Sequence, residues 1–222
     1  MLSIPRDLYV NVPGYAQQRI NAAYVLGELE GAGRGNMLAI QTVEENLGVA
    51  VQRTVRVNFQ GFVAIIDAAG GVTINVETPI IDYEYPTPDY GTMVVAFDAG
   101  EQHMDGERAL QYARIRHGST DMARSRRQQQ VIQAFIQQII SPVNWLRLPS
   151  IYRAFVAHVE TDLILLDVLR LGPAVLWVGP DHIDHRVFDD SMATSATTGS
   201  GASVLEPNWP AIEEAVSEMF YP

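Results

Sequence analysis

Along this chain the spacing of apolar residues switches between two and three-to-four, and this switching limits the folds open to it more than any other feature. Residues 8–12 alternate and are β-rich before Pro13-Gly14 turns the chain, so a short strand opens the sequence. Between 20 and 29, Ile20, Ala23, Tyr24 and Gly27 keep helical spacing, and the glycine-rich run 31–35 closes that helix. A second helix is expected at 37–47, a strand at 51–59, a helix at 62–68 stopped by Gly70-Gly71, and a strand at 72–76. Residues 77–100, interrupted by Pro79, Pro86 and Pro88, read as a loop with a hairpin around 93–97. Helical spacing returns at 106–113, 123–140, 149–158, 165–178 and 210–220, while the Ser, Thr, Ala and Gly run 191–203 reads as a flexible loop. Strands alternating with helices predict an α/β sandwich: a central mixed β-sheet flanked by helices, in a single domain spanning 1–222.

Composition removes whole classes of function. Lys+Arg 15 against Asp+Glu 26 leaves a net charge of −11, the wrong electrostatic footprint for bulk nucleic-acid binding. All 15 basic residues are Arg, so no Walker A lysine, kinase-type lysine or Schiff base is available. Without Cys there are no thiol nucleophiles, disulfides or cysteine-ligated metal centres. The longest apolar candidate, 163–178, is broken by Asp167, Arg170 and Pro173, short of a membrane span. The amino end lacks the charged and apolar regions of a signal peptide.

Six of the arginines fall between Arg108 and Arg127, a window in which Asp121 is the only acid. In an acidic chain this local inversion of sign focuses field onto an anionic ligand. Val131, Ile132, Phe135, Ile136, Ile139 and Ile140 form an inward helical stripe, and steps of four lead back to Arg127, Gln128 and Arg124. Those three side chains therefore continue the buried stripe into the first turns of a helix, where free N–H groups also favour anions. Arg126 is expected to point to solvent. Arg114 and Arg116 face the same side only if the chain is extended after Ala113, which the following Gly118-Ser119 turn allows. Arginines from an extended exit and a helix start then converge on one pocket, and their planar forks suit phosphate oxygens.

Weaker signals point elsewhere or nowhere. His182 and His185, beside Asp181 and Asp184, would point to opposite faces of a strand, so no metal site is assigned to them. His117 reads as a polar rim residue, and Gly199-Ser200-Gly201 lacks the strand-to-helix setting of a nucleophile elbow.

The motifs Ser3-Ile4-Pro5-Arg6-Asp7, Arg19-Ile20-Asn21-Ala22-Ala23-Tyr24, Thr42-Val43-Glu44, Val57-Asn58-Phe59-Gln60-Gly61-Phe62, Ile66-Asp67 with Gly70-Gly71-Val72, and Met104-Asp105-Gly106-Glu107 follow one another in a recognisable order. Tyr112-Ala113-Arg114-Ile115-Arg116-His117 and Asp121-x-x-Arg124-x-x-Arg127-Gln128 complete it. In order and spacing the chain resembles LytR-CpsA-Psr proteins, also called cell envelope-related transcriptional attenuators, most specifically over residues 3–140.

The resemblance implies an extracytoplasmic, membrane-associated phosphotransferase that moves a glycan-phosphate from a polyprenyl diphosphate carrier to a cell-wall glycan hydroxyl, with Mg²⁺ or another divalent metal. It implies that Arg6, Arg114, Arg116, Arg124, Arg127 and Gln128 bind the pyrophosphate. Arg6, Arg116 and Arg124 then act in catalysis, with Asp121 orienting them. An apolar channel for the lipid is expected beside the arginines, with Phe59, Phe62, Ile66, Ile132 and Ile136 as candidates. Family members carry a membrane helix and a strand pair with two metal-binding aspartates upstream of the Ser-Ile-Pro-Arg-Asp motif. With Met1 only two residues before Ser3, this chain is expected to lack them, an N-terminal truncation. Asp7 and Asp121 are the nearby carboxylates that could accept a proton, although a carboxylate flanked by Arg is more often a structural partner. The alternatives are a module that binds polyprenyl phosphate or an anionic glycan without turnover, and a transcriptional regulator. No helix-turn-helix with a basic recognition face supports the latter.

Overall fold

The computed structural model describes residues 1–115, 121–164, 166, 167, 170, 177 and 183–221. The expected helix at 165–178 therefore falls largely outside the described residues, as do Arg116, His117, His182 and the side chain of Asp121. In chain order the elements are β1 (Leu2–Ser3), β2 (Tyr9–Asn11), β3 (Gln17–Arg19), α1 (Ala22–Glu30), α2 (Arg34–Leu47), β4 (Val55–Val57), α3 (Phe59–Ala69), β5 (Val72–Val76), β6 (Ile80–Pro86), β7 (Thr92–Phe97) and β8 (Gly100–Met104). They continue with α4 (Gly106–Arg114), α5 (Asp121–Ile140), a 3₁₀ helix (Pro142–Arg147), α6 (Leu148–His158), β9 (Val159–Thr161), β10 (Arg186–Val187), β11 (Ala193–Thr197), β12 (Ser203–Pro207) and α7 (Trp209–Phe220).

The α/β class holds, but the chain divides into two compact units, 1–54 with 186–222 and 55–185. In place of one central sheet, the strands of the described residues pair two by two: β1 with β10 in parallel, and the other five pairs antiparallel.

In the first unit, Leu8, Val10 and Val12 alternate inward against Ala23, Leu38, Leu47, Ile212 and Val216, with Phe188 and Ala193 closing the cluster. A parallel bridge between Leu8 and Leu205 ties the β2–β3 pair to β11–β12. The run expected to be a flexible loop at 191–203 is thus mostly hairpin. Small β-branched Thr residues and a Gly201 at φ +84° suit a tight antiparallel turn as well as they suit a linker.

In the second unit, β5 shows clean period-two burial, with Val72, Ile74 and Val76 inward and Thr73 and Asn75 outward. Around it Ile66, Tyr85, Val95, Phe97, Met104, Ala109, Tyr112, Ile115, Val131 and Ala134 make the core. The expected loop at 77–100 is corrected to the long hairpin β6–β7, whose prolines stand at its tip and margins where ladder donors are not needed. The strand expected at 51–59 shrinks to β4 because Asn58 caps α3, its side chain accepting from the Gly61 N–H at 2.7 Å.

Candidate functional site

The site in the second unit begins with how α4 is held. Asp105 caps its first turn by accepting from Arg108 N–H, and Asp67 on α3 accepts the Gly106 N–H at 2.7 Å. Gly106 is required there: a Cβ would stand 2.4 Å from the Val63 carbonyl oxygen. Downstream, Arg108 lies over the Phe97 ring at 4.0 Å and donates to the Ala96 carbonyl, while Phe97 meets Tyr112 edge-on at 5.3 Å. Arg114 is the last helical residue, and the chain becomes extended at Ile115, one residue later than the spacing suggested.

Helix α5 then clamps that last turn. Arg127 donates from Nε to the Tyr112 carbonyl at 3.1 Å and from Nη2 to the Ile115 carbonyl at 2.6 Å. Gln128 donates to the Ala113 carbonyl at 3.4 Å. These are the carbonyls that a helix leaves without partners at its C-terminus, where positive charge is also favoured. Arg127 is only 6% exposed, and burial draws its guanidinium below the ordinary arginine value, with the Arg124 charge adding to the effect and Tyr112 and Asp82 opposing it. The expectation that Gln128 and Ile132 share the buried stripe is corrected. That stripe passes through Arg127, Val131 and Ala134, whose small side chain lets α5 lie against the core, and it leaves Gln128 and Ile132 exposed. Arg124 is half-buried and Arg126 exposed, as the spacing predicts.

Across from α4, the β6–β7 ladder slips register between Asp82 and Tyr85. Residues three apart on a regular strand point to opposite faces, but here both Asp82 and Tyr85 are buried, because the irregularity re-aims one of them. Asp82 Oδ1 accepts the Glu84 N–H, and Tyr85 turns toward Arg114. The Arg114 guanidinium carbon sits 4.2 Å from the Phe59 ring centre and 5.6 Å from that of Tyr85. Burial raises the Tyr85 phenol above its usual value while the neighbouring Arg114 pulls it back. Among the described residues Arg114 makes no ion pair, and its charge rests on the faces of Phe59 and Tyr85.

A cleft of about 170 Å³ opens on α5, lined by Glu77, Ile80, Tyr112, Arg126, Arg127 and Gln130, with the Tyr112 hydroxyl donating to Gln130 at 2.8 Å. Exposed Arg126, expected to face solvent only, forms part of this wall.

Arg6 belongs to the first unit, where its Nε donates to Asp7 Oδ2 at 3.1 Å. The other Asp7 oxygen is buried 3.6 Å from Arg19 Nε, without a hydrogen bond among the described residues. Arg19 itself donates to the Ser203 carbonyl. Among the described residues no three of His, Cys, Asp and Glu come together as a metal cluster, although Mg²⁺ asks for only one or two carboxylates beside substrate phosphates.

Of the expected lipid-lining residues, Ile66 is corrected to core at 2% exposure, since α3 turns it onto β5. Phe62 packs partly against the same core, Ile136 is half-buried, and Ile132 and Phe59 are open. Sequence reasoning missed Asp82 and Tyr85 because proline density hid their strand. Nor did any spacing signal mark Phe59 as the seat of Arg114.

Both the sequence and the fold match known proteins. The model of the LytR_cpsA_psr family matches residues 1–220. The teichoic acid transferase TagU of Oceanobacillus iheyensis, named a polyisoprenyl-teichoic acid–peptidoglycan transferase, is 39% identical over 165 residues, 73% of this chain and 48% of its own length. The chain thus spans about half the length of the curated relatives it matches. Among solved structures, TagV of B. subtilis superposes with a TM-score of 0.77 at 28% identity, covering 99% of this chain and 82% of that one. TagT bound to LIIa-WTA gives 0.74 at 26% identity, covering 99% and 77%. With a family model matched almost end to end and a shared fold, the chain belongs to the LytR_cpsA_psr family.

Proposed function

We propose that this protein is a glycopolymer phosphotransferase of the cell envelope, acting at the membrane surface outside the cytoplasm. Its substrate is a polyprenyl diphosphate-linked glycan and its acceptor a hydroxyl of a cell-wall glycan. The acceptor oxygen attacks the phosphorus attached to the glycan, the bond from that phosphorus to the bridging oxygen breaks, and polyprenyl phosphate departs. The acceptor's proton passes to a base. Phosphoryl transfer asks the protein mainly for position and for neutralisation of charge on the phosphoryl oxygens. The observation that carries the reading is the α4–α5 end, where Arg114 rests on two aromatic rings and Arg127 locks the turn beneath it. Arg124 and Arg116 are proposed to complete the diphosphate contacts. Asp121 is proposed to orient the arginines, with Gln128 supporting the α4 terminus and Ile132 and Phe59 offering apolar surface to the lipid. A divalent cation, Mg²⁺, is proposed for the complete reaction, where it would add charge neutralisation. No step above depends on it.

The experiment is release of polyprenyl phosphate from a labelled polyprenyl diphosphate glycan, with pyrophosphate-dependent melting as the binding control. Millimolar pyrophosphate should raise the melting temperature, because a ligand selective for the folded state stabilises by RT ln(1 + [L]/Kd). No rise at low salt would reject the anion site. Binding without release would favour the second reading, a module that holds the lipid phosphate without turnover.

A further inference from the structure

The 3₁₀ helix and α6 carry a surface that the arginine site does not use. Helix α6 lies antiparallel along α3. Arg147, just ahead of it, lies against Gly70 at one end of α3, and His158 at its close lies against Gly61 at the other, where a Cβ would meet the His158 carbonyl oxygen at 2.8 Å. Toward α3 the helix presents buried Ile151 and half-buried Phe155. A surface helix with one buried stripe normally turns charged and polar groups outward. Here the outward positions Leu148, Tyr152 and Val156, four apart, form an exposed apolar ridge. Ahead of it Val143 and Leu146 stand out at 83% and 93% exposure, with Trp145 exposed between them.

The charge pattern says what covers this face. Between Ser141 and Val159 there is no Asp or Glu, yet there are Arg147, Arg153 and His158, in a chain of net charge −11. A protein partner could be apolar alone. Apolar residues with Trp and Tyr, flanked by Arg and free of acids, match the interface of an anionic bilayer, where aromatic rings sit at headgroup level. The ridge also leads toward the site: its His158 end touches Gly61, in the first turn of the helix whose Phe59 carries Arg114.

We propose that the face made by Val143, Trp145, Leu146, Leu148, Tyr152 and Val156 seats the protein in the headgroup layer of an anionic membrane, holding the N-terminus of α3 and Arg114 at the level where a lipid diphosphate is presented. This rests on the lipid-linked substrate proposed above.

The test is flotation of the full chain with vesicles of mixed phosphatidylcholine and phosphatidylglycerol, and of phosphatidylcholine alone, together with pyrophosphate-dependent melting of the same preparations. The chain should float with the mixed vesicles, less so at raised salt, since basic residues near such a surface are attracted to it and salt screens the attraction. Tryptophan emission should shift to the blue on binding, and Trp145→Phe should remove most of that shift. The pair Leu146→Glu with Tyr152→Glu, both at exposed positions, should cut flotation about tenfold and leave the pyrophosphate response intact. Equal flotation of the pair and the unmodified chain would overturn the proposal, as would absence of flotation. A dimer that the pair dissociates, in a chain that does not float, would reassign the face to self-association and overturn it as well. Flotation that survives in a chain unresponsive to pyrophosphate would support the membrane face while rejecting the anion site.

Discussion

The arginines at the α4–α5 end of the second unit are held by different means from several of those in the first. In the first unit Arg6 meets Asp7, Arg34 meets Glu30 four residues earlier on the chain, and Arg186 meets Glu218. At the α4–α5 end of the second, Arg108 and Arg114 lie on aromatic faces and Arg127 on main-chain carbonyls. An ion pair cancels a charge. A ring face holds the charge in place and leaves its field in force, so Arg108 and Arg114 keep positive potential that an ion pair would cancel.

That contrast can be broken most severely at Arg127. Arg127→Leu removes the charged-donor hydrogen bonds to the Tyr112 and Ile115 carbonyls, so unfolding in urea should show a loss of about 3 kcal/mol. A loss under about 1 kcal/mol would mean that Arg127 does not hold the turn. Arg114→Ala should leave stability within about 0.5 kcal/mol and weaken pyrophosphate binding about tenfold by calorimetry. Phe59→Leu, which takes away one ring, should weaken it about threefold, with Phe59→Trp restoring it. If Arg114→Ala weakens binding and Phe59→Leu does not, the ring seat is irrelevant to the ligand. Arg34→Ala, on the ion-paired side, should change stability by less than about 0.5 kcal/mol and leave pyrophosphate binding untouched.

The smallest effect belongs to His185, whose two ring nitrogens are buried without a hydrogen-bond partner among the described residues, and whose pKa burial lowers. An unfolded chain returns it to about 6.5, so below that pH the unfolded state binds more protons and stability falls until the folded pKa is passed. Between about pH 7.5 and about pH 5.5, His185→Phe should lose less melting temperature than the unmodified chain, as differential scanning fluorimetry would read.

The arginine window, the helices around it and the exposure of Arg126 were legible because helical spacing alone fixes faces. Gln128 and Ile132 were misread because the apolar stripe was centred on its bulkiest members, whereas the tight contact selects Ala134 and puts the inward direction one step away. Tyr85 was illegible for a different reason. Its orientation depends on a slipped ladder, and no local pattern announces one. Ion pairs between distant segments, such as Arg56 with Glu160, depend on pairing β4 with β9, which periodicity cannot supply.

The slip between Asp82 and Tyr85 also sets a rule for anyone aligning or remodelling this hairpin. Because the phase of the pleat changes there, a comparison of relatives that tracks simple alternation will match Tyr85 to the wrong column from that point outward. The turn formed by Thr87 and Gly91 lies beyond the slip, joined by the Tyr85–Met93 and Pro86–Thr92 rungs. A label or peptide grafted at the fully exposed Tyr90 therefore travels with those outer rungs, and the inward aim of Tyr85 is inherited unchanged.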